Sequence, residues 1–337
     1  MTTAGSGRID VHTHFLPTGY RAVLARHGLD TIAGTPVPEW SPVLHEEFMR
    51  AWGIETSIVS ISDPGVYFGD AGEARETARL VNEEAAGLLR ADPAGWGAFA
   101  SLPLPDVGAA IAELEHALDV LGLDGVALLS NVEGTYLGDP SLADLYAELD
   151  RRGAAVFVHP AVPSQRPPLV YPPFLFEFTF DTTRAFVNLM YLGVFKNFPN
   201  IRWIFAHAGG TLPYLAFRMS LGAFNELVAG NVPDGPPAYY ARAYYDTALS
   251  YAEPSMAALR RVASLDHVAF GSDWPFTRQL FETSVSEVPD WAAGLVPREG
   301  DPAPALGDLT LGERTQVDRG TAEALLPRLA ASHPESA

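Results

Sequence analysis

Arg8-Ile9-Asp10-Val11-His12-Thr13-His14 is a short apolar, β-branched run that ends in two histidines. Residues two apart on an extended strand point to one side, so His12 and His14 share a face and both imidazoles can meet one ion. Seven more such runs follow: Ser57–Ile61, Trp96–Ala100, Gly125–Leu129, Ala155–Val158, Arg202–Ala206, Ala243–Thr247 and His267–Phe270. Segments of helical periodicity separate them, among them Ala74–Arg90, Val107–Leu121, Leu142–Arg152 and Pro254–Ala263. Eight strand-then-helix units predict an α/β fold, the (β/α)8 TIM barrel. An open doubly wound sheet would place a glycine-rich phosphate turn after its first strand, where this chain has His12-Thr13-His14.

The whole span 1–337 is expected to form one barrel domain, with a Pro/Gly-rich segment at 292–311, a closing helix at 312–330 and a tail at 331–337. Two connections exceed ordinary turns, Phe15–Pro42 after strand one and Ala161–Asp181 after strand five. Long ordered loops in a barrel usually build its pocket, so both are expected to cap the site. Within the second, Phe174, Phe176, Phe178 and Phe180 alternate like one face of an extended segment, read as buried or facing a partner copy in preference to a substrate platform.

Composition narrows the function. Hydrophobic residues at 47% and charged residues at 19% suit a large core. The formal net charge of −19 repels phosphate backbones and anionic lipid, so nucleic acid and membranes are not expected partners. An acidic substrate would need concentrated positive charge in its pocket. With no cysteine, thiolate sites and disulfides are excluded, and any metal must sit on His, Asp or Glu. Residues Met1 to Gly7 carry no basic start or apolar run, and no stretch reaches the length of a membrane span, which points to the cytoplasm.

The polar clusters fall where a barrel exposes catalytic groups, at the C-terminal ends of strands. Strand one ends in His12-Thr13-His14, strand five in His159-Pro160, strand six in His207-Ala208-Gly209-Gly210 and strand eight in Gly271-Ser272-Asp273-Trp274-Pro275. His12, His14 and His159 with the carboxylate of Asp273 would supply three nitrogens and one oxygen to a single divalent ion, zinc first and manganese second. His27, His45, His116 and His333 fall in helical or loop segments, and His267 precedes its strand as a structural residue. Glu133 and Glu177 are expected to be loop or cap carboxylates.

These strings, with Ser130-Asn131, Tyr136-Leu137-Gly138-Asp139-Pro140 and Phe180-Asp181-Thr182-Thr183-Arg184, resemble the metal-dependent decarboxylase branch of the amidohydrolase superfamily, and its 6-methylsalicylate decarboxylase-like members most closely. The resemblance spans the chain. It implies that His12, His14, His159 and Asp273 bind metal, that His207 acts beside it, and that Phe276 lines the substrate pocket. It also implies an arginine for the substrate carboxylate, with Arg26, Arg166 and Arg184 as candidates, and a homodimer or larger homo-oligomer. Arg218 is expected to be a structural charge. Lys196, the chain's one lysine, lies in the segment leading to strand six, and strand four ends in Leu129-Ser130-Asn131, which argues against a lysine-bridged metal pair.

The activity implied is non-oxidative decarboxylation of a small aromatic, ortho-hydroxybenzoic acid, with Asp273 as proton donor and His207 orienting or relaying. Addition of an activated hydroxide before the carbon bond breaks is a second route. Hydrolysis of a lactone or amide at the same metal is the alternative activity.

Overall fold

The computed structural model describes residues 7–283, 285–293, 296–297, 301, 303, 306 and 308–332. Eight parallel strands form one sheet in chain order: β1 Arg8–His14, β2 Ile54–Ser60, β3 Trp96–Ser101, β4 Gly125–Leu129, β5 Ala155–His159, β6 Arg202–Phe205, β7 Tyr244–Asp246 and β8 Val268–Ala269. The eighth strand is the shortest, yet backbone bonds carry it back to the first. Val11 N–H donates to Phe270 O at 3.0 Å, Asp273 N–H to His12 O at 2.8 Å and His14 N–H to Trp274 O at 2.8 Å. The sheet thus curls into the expected barrel.

Strand β1 departs from simple alternation. Its register against β2 shifts between Asp10 and Thr13, so Ile9 and Val11 pack inward and the inward parity then changes to His12 and His14. The side chain of Asp10 bends the chain there, its Oδ1 accepting from His12 N–H and Ser272 N–H, both at 3.1 Å. A bulge of this kind re-aims side chains beside a site.

The barrel interior is apolar below the histidines: Ile9, Val11, Ile58, Phe99, Phe157 and Ile204 pack together. Ala322, Leu325, Leu326 and Leu329 close that cluster from the C-terminal segment. The expected closing helix is therefore real but broken. It starts at the Thr310 and Glu313 capping box, runs as Leu311–Thr315, a wide turn Gln316–Gly320 and Thr321–Leu325, then breaks before Pro327 and resumes as Pro327–Ser332. Leu326 is extended (φ −123°, ψ 83°) because the proline ring disfavours helix at the preceding residue. Arg319 ties the segment to Gly7 O (2.8 Å) and Glu55 (2.6 Å), and Arg202 reaches Leu325 O.

Both long connections contain structure. The first holds a helix, Thr18–Arg26, and a hairpin of Thr31–Ile32 with Thr35–Pro36. The second is irregular only to about Pro172. A 3-10 turn covers Pro173–Leu175, and a helix runs from Glu177 to Tyr191. Phe174 to Phe180 therefore do not form one face of an extended segment, and Arg184 lies within the helix. Much of the Pro/Gly-rich segment 292–311 lies outside the described residues. Among the described residues, no helix is long and apolar enough to cross a membrane.

Candidate metal centre and active site

Five side chains from four strand ends converge at the C-terminal mouth of the barrel. Ligand atoms of His12, His159, His207 and Asp273 all lie within 4.8 Å of one another, and every one of these residues is buried. His14 Nε2 stands 3.1 Å from both His12 Nε2 and Asp273 Oδ1. The four expected ligands and the expected catalytic His207 are thus brought together.

The backbone that presents them is unusual. His207, Ala208, Gly209 and Gly210 all have positive φ, at 56°, 55°, 76° and 70°, and Asp273 has φ 61°. Non-glycine residues rarely sit there, and such conformations gather at functional sites where the fold holds them. Asp246 does the holding at β6: its Oδ1 accepts from His207 N–H at 2.9 Å and Ala248 N–H at 3.0 Å. Gly210 is required for contact as well as conformation, since a Cβ there would fall on the Thr179 carbonyl.

The charges set the protonation states. His12 Nδ1 lies 2.7 Å from Asp246 Oδ2. Burial works to lower the His12 pKa, but the carboxylates of Asp246 and Asp273 outweigh it and raise the group to about 10. His14 and His159 go the other way: burial, together with the neighbouring imidazoles, holds them below the ordinary histidine value, His159 well below. Burial alone would raise Asp273, yet the charge of His12 and hydrogen bonds from His12, His14 and His207 keep it well below the usual carboxylate range. An imidazolium wedged between two carboxylates, with neutral imidazoles turned toward it, is a proton standing where a cation is wanted. His207 faces the cluster through Nε2, 3.3 Å from Asp273 Oδ2, while its buried Nδ1 has no hydrogen-bond partner among the described residues. Three imidazoles and a carboxylate suit a borderline divalent ion, so this donor set fits a metal.

Sequence reasoning missed Asp246 and Asp10. Asp246 ends β7 as the other site residues end theirs, and that position was the available signal. Asp10 is fully buried, burial raises it to about 7, and its Oδ2 has no partner among the described residues.

Aromatic rings wall the cluster. Phe276 lies 5.5 Å from the His14 ring and Phe178 5.7 Å from the His159 ring, measured between centroids. Beside them a cavity of about 480 Å³ opens over the ends of β2 to β5. Ala127 and Leu129 are on its wall, and Leu129 pairs in register with His159, so cavity and cluster share the C-terminal end of the barrel, although none of the five site residues, nor Phe276 or Phe178, is on that wall.

None of the three candidate arginines lines this cavity. Arg26 is exposed and bound to Glu73 at 2.9 Å. Arg184 is half exposed and pairs with Asp181 at 3.3 Å. Arg166 is exposed, two residues past Ser164, which does line the cavity. Glu177 is buried in the first turn of its helix rather than solvated, while Glu133 is exposed on the turn of a small hairpin.

Asp181 anchors the segment over β4 and β5. It is fully buried and accepts from Ser130 Oγ, Tyr136 OH and Asn131 Nδ2, the last at 2.8 Å. Ser130 Oγ in turn accepts from Ala161 N–H at 2.8 Å, and Ser130 N–H donates to His159 O at 2.8 Å. The network fixes the backbone around His159.

This architecture has known counterparts. The chain is 36% identical to a 6-methylsalicylic acid decarboxylase of Penicillium expansum over 80% of this chain and 85% of that one. A solved structure described as an amidohydrolase II superposes with a TM-score of 0.82 at 33% identity, covering 95% of this chain and 99% of the other. The same barrel recurs in a dihydroxybenzoic acid decarboxylase from Polaromonas solved with bound manganese and 2-nitroresorcinol, at a TM-score of 0.70, 22% identity and coverages of 95% and 97%. The family model described as amidohydrolase matches residues 9–328, from the first histidine strand to the closing helix, and the chain belongs to that family.

Proposed function

We propose that the protein is a metal-dependent, non-oxidative decarboxylase of a small aromatic acid, an ortho-hydroxybenzoic acid in the first instance. The observation that carries this reading is the buried histidine and carboxylate cluster sharing one barrel mouth with a cavity of about 480 Å³, large enough for a single substituted ring. The similarity to a named 6-methylsalicylic acid decarboxylase supports the choice of reaction.

In this reading His12, His14, His159 and Asp273 hold one divalent ion, zinc first and manganese second. When bound, such an ion would orient the acid's carboxylate and ortho hydroxyl and offset their charge. Phe276 and Phe178, packed on the His14 and His159 rings, shield the cluster end of the substrate from water. As the bond to the carboxylate breaks, carbon dioxide leaves and the electron pair stays on the ring carbon. Asp273 delivers the proton that forms the new C–H bond. His207 Nε2, 3.3 Å from Asp273 Oδ2, relays that proton, because an acid held so far below its usual range carries one only transiently. Of the three arginines, Arg166 is the candidate to meet a substrate carboxylate, since among the described residues Arg26 and Arg184 are engaged by Glu73 and Asp181.

The reading extends to a cytoplasmic homodimer. Support for assembly comes from exposed apolar side chains spaced along the helix after β6 and the turns that follow, Tyr214, Phe217, Leu221, Phe224 and Leu227, and from Val170 and Tyr171 in the loop after β5.

The test is metal content of purified protein together with carbon dioxide release from a panel of ortho-hydroxybenzoic acids. Metal-dependent release from at least one acid is expected. Stoichiometric metal with no release from any acid, and ring opening of a lactone instead, would replace this reading with hydrolysis.

A further inference from the structure

Asp63 occupies an odd place for an acid. It follows β2, is 8% exposed, and lines the cavity beside the cluster. Its Oδ1 accepts from Val162 N–H at 3.0 Å, a bond that reaches across the mouth to the loop after β5. Among the described residues Oδ2 has no partner, and no Lys, Arg or His pairs with the carboxyl. Much of the cavity wall is apolar, with Ile61, Val66, Leu102, Leu129 and Val132, and its polar members include Ser101, Asn131 and Ser164. Asn131, on the same wall, is already committed, donating to Asp181 and accepting from Gly134 N–H at 3.1 Å.

A largely desolvated acceptor with no protein partner is costly unless water or a ligand supplies the donor, and a ligand that fills the cavity must replace that water. Burial lifts the Asp63 carboxyl to about 6 against the pull of Val162, and the charge of Asp181 adds to the rise. The remedy is a hydrogen-bond donor on the substrate. A second carboxylate at that point would meet like charge, so dicarboxylic acids are disfavoured there.

We infer that Asp63 is a specificity residue that accepts a hydrogen bond from a hydroxyl or amino group on the far edge of an aromatic acid whose reacting carboxylate faces the histidine cluster. The substrate class narrows accordingly, from ortho-hydroxybenzoic acids in general to those carrying a second donor across the ring from the carboxylate. This rests on the cavity being the substrate pocket of the decarboxylase proposed above.

Two matched pairs test it on the metal-loaded full chain. Turnover is compared for 2-hydroxy-6-methylbenzoate and 2,4-dihydroxy-6-methylbenzoate. Equilibrium binding is compared, by calorimetry, for the corresponding phenols, 3-methylphenol and 5-methylbenzene-1,3-diol. Wild type should favour the extra hydroxyl about tenfold or more in kcat/KM and in Kd, because a site built to bond a hydroxyl rejects the analogue lacking it. Asp63→Leu should bring each ratio to about one. Asp63→Asn, which keeps the shape and one acceptor, should leave an intermediate ratio if the leucine variant fails to fold.

Wild-type ratios near one in both pairs, ratios unchanged in Asp63→Asn and Asp63→Leu, or failure of both phenols to bind would overturn the inference. A diol preference that Asp63 substitution removes, with no carbon dioxide from either acid, would keep Asp63 as the donor-reading residue and remove the decarboxylase reading instead.

Discussion

At the N-terminal end of the eight strands, Ile9, Ile58, Phe99 and Ile204 pack against Leu325, Leu326 and Leu329 in an apolar cluster. At the C-terminal end of the same barrel, His12, His14, His159, His207, Asp246 and Asp273 are just as deeply buried, and backbone at His207, Ala208 and Asp273 adopts positive φ. One end spends its residues on packing and the other on donor atoms that packing alone would never select. The comparison teaches that burial at the two ends has opposite meaning: below it stabilises, above it holds costly groups in place for chemistry.

Breaking the upper end should cost turnover without stability. Asp273→Asn removes a charge from the cluster and the acid from the proton path, and kcat is expected to fall by about a thousandfold or more while the thermal midpoint stays near wild type. Steady-state kinetics on whichever acid is turned over, with metal content measured on the same sample, checks this. A variant that keeps metal and most of its rate would remove Asp273 from the proton path.

Breaking the lower end should do the reverse. Leu325→Ala leaves a cavity in the apolar plug and is expected to cost about 2–5 kcal/mol of unfolding free energy. Urea unfolding would measure it, and kcat per folded molecule should not change. If kcat falls in parallel with stability, the two ends are coupled and the contrast fails.

How much of this was legible follows the same division. Periodicity placed all eight strands, and strand-end position placed His12, His14, His159, His207 and Asp273, because both are local signals. The β1 bulge was not legible: His12 and His14 do share a face, but Ile9 and Val11 would share a different one without the Asp10 carboxylate bending the strand. Asp246 escaped because its role is a contact across 234 residues to His12. The phenylalanines at 174 to 180 alternate in sequence, yet a helix beginning at Glu177 overrides the alternation. The arginines could not be ranked because their partners, Glu73 for Arg26 above all, are set by tertiary structure.

Asp246 offers a smaller, sharper test of the upper end. Its Oδ2 fixes His12 with Nδ1 protonated, leaving Nε2 free to face the cluster. Asp246→Asn can present an amide N–H to Nδ1 instead and favour the wrong tautomer, so metal affinity should weaken about 10- to 100-fold, as for other residues that orient metal-bound histidines. Competition with a chelator reads the change directly. Unaltered affinity would mean that the His12 orientation is set by packing against Phe157 alone.

The smallest expected effect compares two buried histidines. His12 is raised to about 10 by its carboxylates, whereas His45, between Trp96 and Trp274, is lowered by burial to about 3. Its Nδ1 accepts from Trp40 Nε1 at 3.2 Å and its Nε2 bonds Ser57 Oγ at 3.1 Å, so the fold needs it neutral. Between its folded and unfolded values the unfolded chain binds the extra proton, and stability therefore rises with pH and is lost as pH falls from about 6.5 toward 3. From pH 6.5 to 5.5 this one group should cost about 1 kcal/mol of unfolding free energy. His45→Gln keeps polar contacts but cannot titrate. Its urea-unfolding free energy should decline about 1 kcal/mol less than wild type over that interval, whatever its offset. The buried acids Asp63 and Asp10, raised to about 6 and 7, push the other way in both proteins and cancel in the difference. A difference between the two proteins that does not change with pH would mean His45 takes no part in acid sensitivity, and that neutral histidines in this fold are a property of the cluster alone.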